Sequence, residues 1–179
     1  MKKILLFLIP VLFIGCASMG DFSANANFGE SYKAAENSNI KSEYDKYRNI
    51  TFYDSKNSKG IDPIRLYIGQ KEDNKFLRCY IHYSGKDWIF FDKIYLINKE
   101  NKRFITDVYF YNKNTDVRDG HVYESIDFVI KNDEIEDFLE LLNGTSISIR
   151  LSGNRNKEYK IKERNVKAMK EIIDFYNQL

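Results

Sequence analysis

The sequence has no phosphate-binding glycine loop, no dinucleotide fingerprint and no Gly-x-Ser-x-Gly frame. Ser84-Gly85 and Ser152-Gly153 therefore read as turn dipeptides rather than nucleophile elbows. Histidine is scarce, with His82 and His121 the only two. They lack helical i, i+4 spacing and an adjacent carboxylate pattern, so they do not read as a metal pair. No apolar run reaches the roughly 20 residues that a membrane-spanning helix needs. Neither charge dominates. Once Lys2 and Lys3 go with a cleaved segment 1–15, the 28 basic residues fall to 26, against 26 acidic ones. That balance argues against nucleic acid as a partner, because a binder would carry a basic surplus.

What is present begins at the N-terminus. Lys2 and Lys3 precede an apolar stretch from Ile4 to Ile14, broken by Pro10 and followed by the small residue Gly15 and by Cys16. A short cationic region, an apolar stretch and a small residue form the pattern of an export signal. Phe13-Ile14-Gly15-Cys16 resembles the lipobox of bacterial lipoproteins, although Phe13 stands where that family usually has an aliphatic residue. The resemblance covers only these first residues. It implies cleavage between Gly15 and Cys16, a diacylglyceryl group on Cys16, and attachment of the mature chain to a membrane of the cell envelope. Acyl chains contribute about 0.8 kcal/mol per buried methylene, so the two or three of a lipoprotein anchor it durably. Ala17 and Ser18 follow the cysteine. In the enterobacterial members of that family, the absence of Asp there implies the outer rather than the inner membrane.

Residues 17–46 are rich in Ala, Ser, Asn, Gly and Lys with little apolar periodicity. They read as a flexible tether spanning roughly 30 Å r.m.s.. A single globular domain is expected over 47–179. It has one proline, Pro63, and most of the chain's 13 tyrosines and 13 phenylalanines, a composition that suits strands.

The period along the domain gives about eight mostly antiparallel strands and two helices, an α+β fold in one sheet or a sandwich. Ile50 and Phe52 alternate, then Ile64, Leu66 and Ile68, then Phe76 to Tyr83 with Cys79 on its apolar face. Cys79 has no cysteine partner if Cys16 is lipidated, and reads as a small buried hydrophobe. A fourth strand is expected over Asp87 to Asn98, its alternation broken at Asp92-Lys93 by a bulge or by cover on both faces, and a fifth over Arg103 to Tyr111. After the turn dipeptide Asp119-Gly120, a sixth places Val122, Ile126, Phe128 and Ile130 inward. Asp133 reads as the cap of a helix carrying Ile135, Phe138, Leu139 and Leu142, ended by Gly144. Ile147 to Leu151 and Tyr159 to Ile161 read as strands seven and eight. Asn165 reads as the cap of a final helix with Val166, Met169, Ile172, Ile173 and Tyr176 on its stripe.

Candidate sites within the domain are few. His82 is expected at an exposed or edge position beside Arg78 and Tyr80. Asn112, Asn114, Asp116 and Asp119 alternate as calcium ligands do, but the loop lacks the Asp-x-Asp-x-Asp-Gly order and has Tyr123 where a Glu is needed, so a polar hairpin loop is preferred. Trp88 is assigned to core packing ahead of a strand-end contact with a ligand or protein partner, and Tyr109 and Tyr111 read equally as a partly exposed aromatic patch or as the cover of a second core beneath the helices. Nine acids between Asp116 and Glu140 and eight bases between Arg150 and Lys170 are expected to neutralise each other in part. No catalytic, cofactor-binding or metal-ligating residue is nominated. The expectation is a lipid-anchored, non-catalytic envelope protein that binds a partner, such as another envelope protein, or supports the envelope; a lipid-tethered enzyme is the competing class. A polar cleft gathering His82 or His121 with carboxylates would favour the enzyme.

Overall fold

The computed structural model describes residues 39–59 and 62–179. Gly15, Cys16, the apolar stretch before them and the tether as far as residue 38 lie outside the described residues.

Among the described residues, ten antiparallel strands form two sheets, accompanied by two helices. The first sheet holds β1 (Ile40–Asp45), β2 (Ile50–Ser55), β3 (Ile64–Lys71), β4 (Asn74–Gly85), β7 (Lys113–Arg118) and β8 (His121–Val129), in the order β1-β2-β3-β4-β8-β7. The second holds β5 (Lys93–Ile97), β6 (Arg103–Asp107), β9 (Ser148–Ser152) and β10 (Lys157–Lys160), in the order β10-β9-β5-β6. Helix α1 (Ile135–Asn143) joins β8 to β9, and α2 (Glu163–Gln178) ends the chain. None of the described helices is long and apolar enough to cross a membrane.

Strand alternation builds the core. Ile64 faces Ile81, Leu66 faces Cys79 and Ile68 faces Leu77 across β3 and β4, all buried on one side of the sheet. The second sheet contributes Ile94, Leu96, Ile149 and Leu151, and the helices add Phe138, Leu141, Leu142, Met169, Ile172 and Ile173. These side chains belong to one contiguous cluster. Each fully buried Ile, Leu or Phe stabilises the fold by about 1.5–3 kcal/mol. Helix α2 packs on β2, β3 and β4, and α1 packs on β6, where Phe138 meets Phe104 edge-on at 5.1 Å. Cys79 is a free, fully buried thiol whose pKa burial pushes upward.

Several boundaries differ from the sequence reading. Residues 40–45, placed in the 16–46 tether, are the edge strand β1, paired with β2 from Ile40↔Ser55 to Asp45↔Ile50. Just before it, the Asn39 amide donates to Glu171 of α2 at 3.0 Å, and its carbonyl accepts the Lys56 N–H at 2.7 Å. Strand β1 escaped notice because four of its six side chains are exposed and leave no apolar pattern. The fourth expected strand begins only at Lys93, because the amides of residues 89–91 are taken by a side chain rather than by a neighbouring strand. The fifth stops at Asp107. The calcium-like loop is in fact β7, a second nearly all-exposed edge strand. There Asp116 accepts the Val117 N–H and pairs with Arg118.

The turn at Asp119 (φ 49°) and Gly120 (φ 72°) joins β7 to β8 with both residues left-handed, the geometry of a two-residue hairpin. The helix caps shift too. Asp133 lies in a 3-10 turn (Asn132–Glu134) before α1, whose N-cap is Glu134. The N-cap of α2 is Lys162, while Asn165 sits buried in the first turn and donates to the Ile64 carbonyl at 2.9 Å. Gly144 does end α1, but in extended backbone. It is needed because a Cβ there would collide with the Asn98 amide, which donates to the Leu141 carbonyl at the helix end.

Candidate functional site: a polar cleft at the junction of the sheets

A cleft of about 250 Å³ opens where the start of β3, the end of β4, the edge strand β10 and the N-terminus of α2 meet. Asp62, Pro63, His82, Ser84, Tyr159, Lys160 and Lys162 line it. Each is placed by a local rule. Successive side chains of a strand alternate between faces, so His82 and Ser84 share one face of β4. The Pro63 carbonyl accepts the His82 N–H at 3.0 Å, which holds the residues before β3 against β4. Arg164, in the first turn of α2, donates through Nη2 to Asp62 Oδ1 at 3.0 Å and pulls Asp62 under the helix.

The cleft stands out for what its buried groups lack. Among the described residues six buried side-chain polar atoms have no hydrogen-bond partner, and four belong to this neighbourhood: Asp62 Oδ2, His82 Nδ1, Arg164 Nε and Asn165 Oδ1. Leaving such a group unsatisfied costs about 1–3 kcal/mol. Native proteins carry few of them, so their concentration in one place singles it out. Asp62 is only 4% exposed. His82 is half-buried, in the middle of its sheet rather than at an edge, with its ring stacked on Tyr80 at 5.8 Å. Burial first, and the nearby Arg65 second, push its pKa below the usual histidine value. Burial raises that of Tyr159.

Among the described residues no hydrogen bond joins Asp62 or Ser84 to the His82 ring. The cleft therefore holds a carboxylate, an imidazole and a hydroxyl that share one place without being hydrogen-bonded to one another. His121 is elsewhere, exposed at the β7–β8 hairpin with Nδ1 3.2 Å from the Asp119 carbonyl. The two histidines are not brought together, and no group of three His, Cys, Asp or Glu residues suited to a metal ion occurs among the described residues.

A second polar centre was not foreseen. Glu124 is fully buried, yet Oε1 accepts the Ile89 and Phe90 N–H groups at 2.7 and 2.8 Å, and Oε2 accepts that of Phe91 at 3.2 Å. Lys113, 6% exposed, donates to Glu124 Oε2 at 3.2 Å and to the Phe91 carbonyl at 3.0 Å. Its ammonium also lies over the Phe90 and Phe91 rings. This latch fastens the segment between β4 and β5, which carries the chain from one sheet to the other. The signal was in the alternation Val122-x-Glu124-x-Ile126, which puts a carboxylate on the inward face of a strand.

The remaining candidates are dispersed. Trp88 is half-buried against the core and stacks on the exposed Phe90 at 5.5 Å. Tyr109 and Tyr111 are exposed and stack nearly parallel at 5.6 Å. In a wider groove of about 450 Å³ between the start of α1 and the end of α2, Lys75 donates to the Tyr176 carbonyl and Tyr176 to Asn132. The acidic and basic segments do not pair with each other among the described residues. Asp127, Glu140 and Glu124 pair with Arg78, Lys102 and Lys113, while Arg164, Arg155 and Arg150 pair with Asp62, Asp87 and Glu158.

No family model, curated protein or solved structure matches the chain.

Proposed function

We propose that this chain is a lipid-anchored protein of the bacterial envelope, more specifically of the outer membrane, whose domain works by binding and not by catalysis. The anchor rests on Gly15 and Cys16. The observation that carries the binding role is the cleft itself, which gathers Asp62, His82, Ser84, Tyr159, Lys160 and Lys162 at one concave place. A concave site with a few convergent polar groups is the kind of place where a ligand or a polar group of an envelope partner docks. A nucleophile needs a base within hydrogen-bond reach. Ser84 and His82 do not meet that condition, which favours binding.

One observation favours the competing class of a lipid-tethered enzyme. His82, Ser84 and the carboxylate of Asp62 line the same cleft. Native mass spectrometry of the detergent-extracted lipoprotein separates the two: a ligand carried unaltered is expected. Conversion of that ligand, or a covalent adduct on Ser84, would establish the enzyme instead. The anchor has its own test. Cys16→Ala should abolish acyl labelling and leave an uncut precursor; a variant still cut and released as mature protein would remove the lipoprotein reading.

A further inference from the structure

We infer that two aromatic pairs, Trp88 with Phe90 and Tyr109 with Tyr111, form a surface that rests on the lipid headgroup layer of the membrane holding the anchor. The inference rests on the anchor at Cys16 proposed above and adds a second point of contact with the same bilayer.

The rings belong to two loops, one entering β5 and one leaving β6. Trp88 stacks on Phe90 at 5.5 Å, and Tyr109 on Tyr111 at 5.6 Å. Phe90, Tyr109 and Tyr111 are 47%, 57% and 80% exposed. The loops are fastened to each other: the Asp92 carbonyl accepts the Val108 N–H at 2.7 Å, and the Phe91 carbonyl accepts the Lys113 ammonium at 3.0 Å. They are fastened to the core as well. Glu124 accepts the Phe90 N–H at 2.8 Å, and Gly153 packs so closely on the Phe90 carbonyl that a Cβ there would lie 2.4 Å from it. Phe90 is left-handed (φ 49°), a conformation that a bulky residue adopts only under constraint. The fold accepts that strain while holding a large apolar ring out in water.

Chemistry and reach together select lipid as the occupant. Tryptophan and tyrosine favour the headgroup layer, where the ring meets acyl chain and the polar tip stays wet. The charges around the rings cancel. Asp87 pairs with Arg155, Lys93 with Asp107 and Lys113 with Glu124, which leaves Lys86 and Asp92 of opposite sign. Such a surface suits zwitterionic headgroups and asks for no anionic lipid. From Cys16, residues 17–38 extend to at most about 80 Å, several times the roughly 14 Å radius of gyration of a domain this size. A bilayer that holds Cys16 is therefore within reach of any face of the domain, and a tethered contact needs little affinity of its own.

Trp88 is the single tryptophan of the chain, so its fluorescence reports on this surface alone. The test places the full-length mature lipoprotein in phosphatidylcholine vesicles with and without bromine high on the acyl chains. Contact should quench Trp88 in the brominated vesicles, equally at low and high salt. The triple variant Phe90→Asn, Tyr109→Ser, Tyr111→Ser should lose most of that quenching; asparagine tolerates the left-handed backbone, so the loop keeps its course. Phe90→Tyr, which keeps a ring, should stay quenched. Equal emission in the two vesicles would overturn the inference, as would full quenching of the triple variant. Quenching that needs anionic lipid and disappears in salt would assign the contact to basic residues instead. Shielding of Trp88 from acrylamide that grows with protein concentration in the absence of vesicles would give the surface to a second copy of the chain. Intact mass reports separately whether Cys16 is acylated. An unacylated chain would remove the anchor reading, and quenching measured with excess vesicles would still decide the aromatic contact.

Discussion

Glu124 and Asp62 are both buried carboxylates paired with a cation, yet their surroundings are opposite. Glu124 has both oxygens engaged by three backbone amides and an ammonium, and that ammonium has a second acceptor in the Phe91 carbonyl. Asp62 has one oxygen engaged and one empty, beside an imidazole and a guanidinium that each keep an unpartnered nitrogen. A satisfied buried charge specifies structure, because every alternative arrangement leaves it unpaired. An unsatisfied one destabilises the fold unless something outside the domain completes it. The latch therefore belongs to folding, and the cleft is where we propose that recognition occurs.

That contrast can be broken from the latch side first. Glu124→Ala strands three amides and the Lys113 ammonium in the interior. It should lower unfolding stability by about 3–5 kcal/mol, read as a shifted denaturant midpoint. A loss below about 1 kcal/mol would mean that water or rearrangement replaces the carboxylate easily, and the latch would lose its structural status. Lys113→Met is gentler, since three amides still hold the carboxylate, and should cost about 2 kcal/mol. Combined with Glu124→Gln, it should cost less than the two single changes added together, because the pair acts as a unit. Strict additivity would show that the ion pair contributes nothing beyond its separate hydrogen bonds.

The cleft should respond in the other direction. His82→Phe removes an unpartnered nitrogen while keeping a ring to stack on Tyr80, so stability should change by less than about 1 kcal/mol, toward stabilisation. The same variant sharpens the comparison through pH. The folded-state pKa of His82 is depressed, so the unfolded chain binds the proton more readily. Stability is then undiminished above the ordinary histidine value of 6.5, and falls as pH drops below it toward the depressed value. Melting temperature measured across that window should fall less steeply in His82→Phe than in the wild-type domain. Parallel slopes would mean that His82 titrates in the fold as it does in the unfolded chain.

Local rules were legible in the residues themselves. Ile64, Leu66 and Ile68 announce a half-buried strand, Phe138 and Leu142 a helix face, and Asp119-Gly120 a two-residue hairpin, because alternation, helical period and turn chemistry act over a few neighbours. The edge strands β1 and β7 were illegible for the same reason. They bury little, so their sequences carry no apolar period, and only the exposed backbone of β2 and β8 recruits them.

The N-terminal motif of Gly15 and Cys16 is a short, contiguous signal of this local kind. The domain's polar centres are not. Glu124 meets amides 33 to 35 residues away, and Asp62 meets Arg164 across 102 residues. Which buried charges are satisfied and which are left open depends on those distant approaches. The residues by themselves determined the half-buried strands, the helices and the inward face on which Glu124 falls. The tertiary structure alone decided that Glu124 is closed off and that Asp62 and His82 are left with open valences at a cleft, because hydrogen-bond satisfaction belongs to the packed interior and not to any segment of chain.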